Sequence, residues 1–370
     1  MPMEAGSGCS AGERIAAVLT GAWRPSPPPL RISAKDLSEV ALPLLRTGAG
    51  GLAWWRAKHS RWPTSRELLR FRQVYRLQHL LAALHERWIQ RVVVRLRSSG
   101  IEPLLGKGWA VARLYPDQGL RPCGDIDLYV RRDQYMAAAG VLAGREGEEE
   151  PADLHPGLAE LDDRSADEVY RRSQLFAVGD VAVRAFGPED HLRLISLHML
   201  RHGAIRPLWL CDVAVALESR SPDFDWDYFS SGNQRRSHWV ACALGLAHRL
   251  LEARLDGVPL AARADDPPLW LVPTVLRQWG AAQMPQGARS AMAVYLRHPS
   301  GVLEALRVRW PNAIEATVGV GGPFNEWPRL PFQLAHSLLR SARFALELPE
   351  RLVEGTRHEG GRASVRAHRH

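Results

Sequence analysis

The chain is poor in cysteine. Cys9, Cys123, Cys211 and Cys242 are scattered and form no Cys-x-x-Cys pair. That argues against a disulfide framework or a cysteine-held zinc site, and a reducing, cytoplasmic setting is the expectation. Long apolar runs are missing too. None approaches the roughly 20 residues needed to span a bilayer, so no membrane partner is expected. The opening stretch, MPMEAGSGCSAGERIAAVL, carries an acid early and no basic segment ahead of a long apolar core, which reads as no signal peptide. Common phosphate-binding and catalytic signatures are also absent. No Gly-x-x-x-x-Gly-Lys-[Ser/Thr] loop occurs, which excludes a P-loop kinase. Gly-x-Gly-x-x-Gly after a strand, Gly-x-Ser-x-Gly and the protein-kinase landmarks are missing as well.

What remains is an ordinary globular composition, 46% hydrophobic and 24% charged, long enough for one catalytic domain with helical extensions. The net charge of +8 comes largely from arginine. It would suit a phosphate-rich ligand or nucleic acid, and equally a proteome rich in Gly, Ala and Arg.

Residues 1–62 read as a mobile arm, punctuated by Pro25-Ser26-Pro27-Pro28-Pro29, with a short helix near Arg14 to Leu19. Ser33 is placed to cap a helix reaching Leu45, and Gly48, Gly50 and Gly51 then break the chain. A long helix is expected over Ser65 to Leu96. Leu77, Leu80, Leu81, Leu84 and Trp88 form its apolar stripe. Its arginine face, Arg66 to Arg91, has no interleaved aromatics, so a solvated surface is favoured over a nucleic-acid surface.

The catalytic core is expected over 63–187. Strands are predicted at Ile101 to Leu105, Asp125 to Val130 and Ala152 to Leu158, with a hairpin around Gly179-Asp180. Helices are predicted at Trp109 to Tyr115 and from Asp133 to Ala143. The acidic run Glu146 to Glu150 reads as a solvated loop. A helical domain should fill 188–350. Its segments are Glu189 to His202, Pro207 to Glu218, Ser237 to Leu255 stopped by Gly257, Leu269 to Trp279, Arg289 to Leu296 and Pro331 to Leu346. Residues 351–370 read as a disordered tail.

The chemistry concentrates in LLGKGWAVARLYPDQGLRPCGDIDLYV, Leu104 to Val130. On a strand, Asp125 and Asp127 share one face while Ile126 and Leu128 take the other. Two carboxylates on one face repel unless a cation sits between them. A Mg²⁺ ion that also carries polyphosphate suits such a pair. Upstream, Gly106-Lys107-Gly108 lies at a strand-to-helix turn. There the backbone can approach a phosphate and a lysine can neutralise it.

Lys107-Gly108, Tyr115-Pro116, Arg121 and Asp125-Ile126-Asp127 together resemble the DNA polymerase β-like nucleotidyltransferase superfamily. More narrowly, they look like its uncharacterised nucleotidyltransferase family. The likeness extends over roughly residues 66–250, through Asp153-Leu154-His155 and the helical region from His198 to Asp212. It implies an α+β fold: a small mixed-sheet nucleotidyltransferase core with N-terminal helices and a C-terminal helical domain. It also implies a third carboxylate that completes the metal site and helps deprotonate the acceptor hydroxyl. Asp153 is the candidate and Glu160 the fallback. The segment before Asp153 is shorter than is usual in that family, which bears on this strand's register. Lys107 and Gly108 replace the Gly-Ser or Gly-Gly of the wider superfamily, and the lysine would meet the β- or γ-phosphate. Arg121 would do the same, bind the acceptor, or pair with Asp117 or Asp125. His191, His198 and His202 share a helical face, with Asp212 on the next helix. That set could bind a metal, although its apolar setting favours interhelical packing.

The expected activity is Mg²⁺-dependent transfer of a nucleoside monophosphate from an NTP to a hydroxyl or phosphate, releasing pyrophosphate. Asp125, Asp127 and Asp153 would hold the metal, and Lys107, Gly108 and Arg121 the nucleotide. The alternative is an inactive binding module on the same fold, in a biosynthetic or toxin–antitoxin complex. A small-molecule or peptide acceptor is favoured over nucleic acid.

Overall fold

The computed structural model describes residues 9–143, 151–264, 266–281, 309–342 and 346. At its centre is a five-stranded mixed sheet of order β3-β2-β1-β5-β4. The strands are β1 (Leu104–Leu105), β2 (Ile126–Val130), β3 (Ala152–Pro156), β4 (Gln174–Val178) and β5 (Val181–Ala185). β1 runs antiparallel to β2 and parallel to β5, β2 parallel to β3, and β4–β5 is the predicted hairpin, with Gly179 at φ 54° in its turn. The fold class is α+β, as expected.

The sheet's two faces differ in kind because β2 alternates. Ile126, Leu128 and Val130 point into the core with Ile89, Val92, Val93 and Leu96 of the long helix α4 (Arg66–Ser98) and Ala138 of α6 (Tyr135–Ala143). Asp127 and Tyr129 point the other way. Each buried aliphatic side chain contributes about 1.5–3 kcal/mol, so this row fixes which face the acids occupy.

α4 turns the opposite way from the sequence expectation. Leu77, Leu80, Leu81 and Leu84 are 41% to 70% exposed, and of the predicted stripe only Trp88 packs against the core. The buried face is Leu68, Phe71, Gln78, His85, Ile89, Val92, Val93 and Leu96. The sheet selects the face with branched aliphatics at the helix's C-terminal end. The polar Gln78 and His85 follow because the turn that carries the site lies beneath them, with His85 Nε2 3.4 Å from the Asp125 carbonyl.

Ahead of α4 the described part of the expected arm is helical: α1 (Ala11–Leu19), α2 (Ala34–Arg46) and α3 (Gly50–His59). Ser10 closes a capping box with Glu13, and Ser33 caps α2 as predicted. Ile15, Val18, Leu19 and Trp23 are buried, and the Arg56 guanidinium donates to carbonyls at Ala17, Val18 and Pro29. That burial anchors the segment where a mobile arm was expected.

α7 (Ala166–Arg172) precedes the hairpin, and past it come α8 (Pro188–Arg201), α9 (Pro207–Glu218), α10 (Trp226–Ser230), α11 (Gln234–Leu251), α12 (Ala261–Ala264) and α13 (Leu271–Gly280). α11 stops at Glu252, which takes φ 55°, and not at Gly257. These helices and the sheet form one compact unit over 1–284 and 324–326. The described residues 309–323 and 327–342 belong to a second unit. Its described part holds α14 (Ala313–Gly319), capped by Asn312, and a helix over 330–342 whose Gln333 donates to the Pro311 carbonyl. The predicted helix at 289–296, the acidic loop 146–150 and the tail 351–370 lie outside the described residues. Among the described residues no helix is long and apolar enough to cross a membrane.

Candidate functional site

The site begins with strand register. β2 and β3 run parallel with Asp127 opposite Asp153 and Tyr129 opposite His155. Cross-strand partners lie about 5 Å apart on one face, so the pairing sets two acids side by side and two rings behind them. Donor atoms of Asp127, Asp153 and His155 all fall within 4.8 Å of one another. Among the described residues this is the group with metal-ligand spacing; the histidine face on α8 is not one.

Tyr129 fixes the imidazole. Its ring stacks on His155 at 4.4 Å and 21°, and meets Phe186 edge-on at 5.1 Å. The His155 Nε2 then lies 3.0 Å from Asp127 Oδ1 and 3.3 Å from Asp153 Oδ2. Gly106, just before, must be glycine. A Cβ there would stand 2.8 Å from the Tyr129 ring and 3.0 Å from Phe186.

Lys107 follows, opening α5 (Lys107–Ala112), in the left-handed region at φ 41°, a strained conformation for a side-chain-bearing residue that costs on the order of 1–3 kcal/mol. The turn aims its ammonium inward. Nζ donates to Asp127 Oδ1 at 2.7 Å, lies 3.3 Å from His155 Nε2, and is buried. Burial pushes the Asp127 carboxyl up, but the His155 and Lys107 contacts outweigh it and hold the group below the usual carboxylate range. Oδ1 is thus doubly engaged. Oδ2 lies 3.5 Å from where a Cβ on Gly108 would stand, so glycine keeps that side of the acid uncrowded. Asp125 sits one residue before β2, exposed, and lines the same cavity. It is therefore at the mouth of the strand and not within it, as the sequence expectation had it.

The cavity has a volume of about 790 Å³, ample for a nucleotide-sized ligand. Its far wall is α8 and α9, through His198, Arg201, His202 and Trp209. Another side is the α2–α3 turn, where a Cβ on Gly48 would stand 3.0 Å from Pro122 and 3.2 Å from Leu208. Glu160, the fallback acid, lines it too, but its carboxylate lies 3.3 Å from Arg201.

Arg121 also lines the cavity, with its guanidinium paired to Asp212. Its Nη2 and Nε donate to both Asp212 oxygens at 2.9 and 3.2 Å, and the Tyr115 hydroxyl adds 2.9 Å to the same carboxylate. The pair is buried. Burial opposes the guanidinium charge, yet Asp212 overcomes it and Arg121 is held above its ordinary pKa. Neither Asp117 nor Asp125 is its partner. Arg121 and Asp212 tie the loop before β2 to α9, which excludes Asp212 as a companion ligand for the histidines.

Those histidines pack. His198 and His202 lie 4.5 Å apart with Trp209 at 5.1 and 5.5 Å. His191 is buried, its Nε2 has no hydrogen-bond partner, and burial pushes its pKa down to about 3. An unfolded histidine titrates near 6.5. Between those values the unfolded chain binds the extra proton, so this residue's contribution to stability falls as pH drops. Asp190, pushed up to about 6 by burial, works in the opposite sense below pH 6 and flattens the wild-type curve. His191→Leu isolates the histidine. Relative to wild type its stability should improve as pH falls below 6.5, by up to about 1.4 kcal/mol per pH unit. Urea unfolding at pH 7, 6 and 5 reads this out, and a pH-independent difference would count against it.

Sequence reasoning reached Asp125, Asp127, Asp153, Lys107, Gly108 and Arg121, and the structure brings them to one cavity. It undervalued His155 and missed Tyr129. The available signal was period two: each lies two residues beyond an acid, hence on the same face.

The family described as uncharacterised nucleotidyltransferase matches residues 48–155 and 149–255, together more than half of the chain. Among solved structures, an antigenic nucleotidyltransferase-like protein from Paracoccidioides brasiliensis is similar at 15% identity and a TM-score of 0.33. The likeness covers 52% of this chain and 92% of that one. No curated protein matches the chain.

Proposed function

The chain belongs to the uncharacterised nucleotidyltransferase family, and on that premise we propose a divalent-metal-dependent transfer of a nucleoside monophosphate from an NTP to a hydroxyl or phosphate acceptor, with release of pyrophosphate. The observation that carries the reading is the pairing of Asp127 with Asp153 across two parallel strands, with His155 behind and Asp125 at the strand mouth. The donor set fits a divalent ion. Two carboxylates and one imidazole converge, Asp125 lines the same cavity, and Asp127 Oδ2 is not engaged by Lys107 or His155. Asp127, Asp153 and Asp125 would hold the ion, with His155 as a further donor. When bound, the ion neutralises the phosphates and polarises the α-phosphoryl group.

The chain's own residues supply the rest. Lys107 brings a positive charge to the acids' side of the cavity, within reach of a polyphosphate. Arg46 and Arg206 add positive charge to the cavity lining. Asp153, about half exposed, is placed to accept the acceptor hydroxyl's proton. The acceptor oxygen then bonds to the α-phosphorus, and the bond to the bridging oxygen breaks with its electron pair leaving on pyrophosphate. Arg121 and Asp212 line the same cavity and hold the loop that ends in Asp125.

The test is incubation with each labelled NTP, Mg²⁺ or Mn²⁺, and a panel of hydroxyl and phosphate acceptors, following pyrophosphate. Metal-dependent release that requires an acceptor is expected. Nucleotide binding without release across the panel would instead favour the inactive binding module.

A further inference from the structure

Lys107 stands where a bound ion's charge would be felt most. Its Nζ is 2.7 Å from Asp127 Oδ1 and 3.3 Å from His155 Nε2, two of the three residues whose donors converge. The ammonium is buried and lies 5.4 Å from the Tyr129 ring centroid, so little water screens it. A divalent cation among the same donors would sit within a few ångströms of it, and two like charges at that range repel strongly in a poorly screened site. Ion and ammonium therefore compete for Asp127. A polyphosphate changes the balance because it offers Lys107 other oxygens in the same cavity, which Lys107, Gly108 and Asp127 all line.

Building on the catalytic reading above, we propose that Lys107 is a built-in counter-ion of Asp127 that couples metal binding to nucleotide binding. Without nucleotide the lysine neutralises the acid and keeps metal affinity low. With nucleotide, the phosphates take over the lysine and the acid becomes available. Coupling between two ligands is reciprocal, so metal must raise nucleotide affinity by the same factor.

Mn²⁺ binding, followed by the paramagnetic resonance signal of the free ion, tests this with wild type, Lys107→Met and Lys107→Arg. Without nucleotide, Lys107→Met should bind Mn²⁺ about ten-fold or more tighter than wild type, within the usual range of coupling factors. Lys107→Arg keeps the charge and should stay close to wild type. Calorimetry with a non-transferable α,β-methylene NTP, with and without saturating Mn²⁺, should show a large metal-dependent gain in wild type and a smaller one in Lys107→Met. Lys107→Gln replaces Lys107→Met should the latter fail to fold. Wild type that binds Mn²⁺ and nucleotide, with equal or weaker metal affinity in the uncharged variant, overturns the counter-ion. Wild type that binds neither overturns the catalytic reading itself.

Discussion

Asp127→Asn is expected to abolish nucleotide transfer while leaving a folded chain. Asparagine matches the aspartate in size and still offers an oxygen to Lys107 Nζ and His155 Nε2, now 2.7 and 3.0 Å away. What disappears is the one buried negative charge of the centre. A bound ion's stabilisation of a reacting phosphoryl group amounts to several kcal/mol, and each 1.36 kcal/mol is a factor of ten in rate. A loss of about a thousand-fold or more should follow, measured as pyrophosphate release. Asp153→Asn should cost less, because its carboxylate is 51% exposed and water can replace part of its role. Undiminished turnover in Asp127→Asn would remove the aspartate from the chemistry. Some thermal stability should also go, since Lys107 keeps a buried charge without its counter-charge.

Asp212→Ala carries the largest expected effect on stability. The carboxylate takes two bonds from Arg121 and one from Tyr115, and all three side chains are buried. Removing one partner of a buried ion pair strands the other and costs about 3–5 kcal/mol. Domains are stable by only about 5–15 kcal/mol in all, so about a fifth or more of the total is at stake. Urea unfolding gives the number. Replacing both members, as in Arg121→Met with Asp212→Leu, should recover much of it, because no uncompensated charge is left. If Arg121 instead served the nucleotide, Asp212→Ala would unfold at nearly the wild-type urea concentration and Arg121→Met would lose NTP affinity alone.

The reach of the sequence depended on whether a feature was local. Asp-Ile-Asp could be placed because alternation is a property of five consecutive residues. The hairpin at Gly179 and the cap at Ser33 are equally local. The neighbourhood of Asp127 and Asp153 was a different matter. It depends on two strands pairing in parallel across the whole of α6, and a slip of one residue would have turned Asp153 away. The partner of Arg121 lies 91 residues downstream, where no short-range pattern points. On α4 the difficulty was two-sidedness. The helix carries two apolar stripes, and spacing tells which residues share a stripe but not which stripe meets the sheet.

The strand order has a further consequence. β3 is the last strand on its side, and among the described residues no strand pairs with its outer edge. Unpaired edges invite accidental joining to other chains, and proteins blunt them with charge and proline. Asp153 supplies the charge and Pro156 ends the strand with a residue that has no amide hydrogen to offer. The same carboxylate is one of the three residues whose donors converge. A strand hydrogen-bonded on one side only has fewer bonds to keep it closed in native-state hydrogen exchange than an interior one. Since His155 and Asp153 ride on β3 while Asp127 sits one strand inward, anything held among the three staples the fraying edge to the interior. Amides of β3 should then exchange more slowly whenever the centre is filled, which makes a ligand at this site a latch on the sheet.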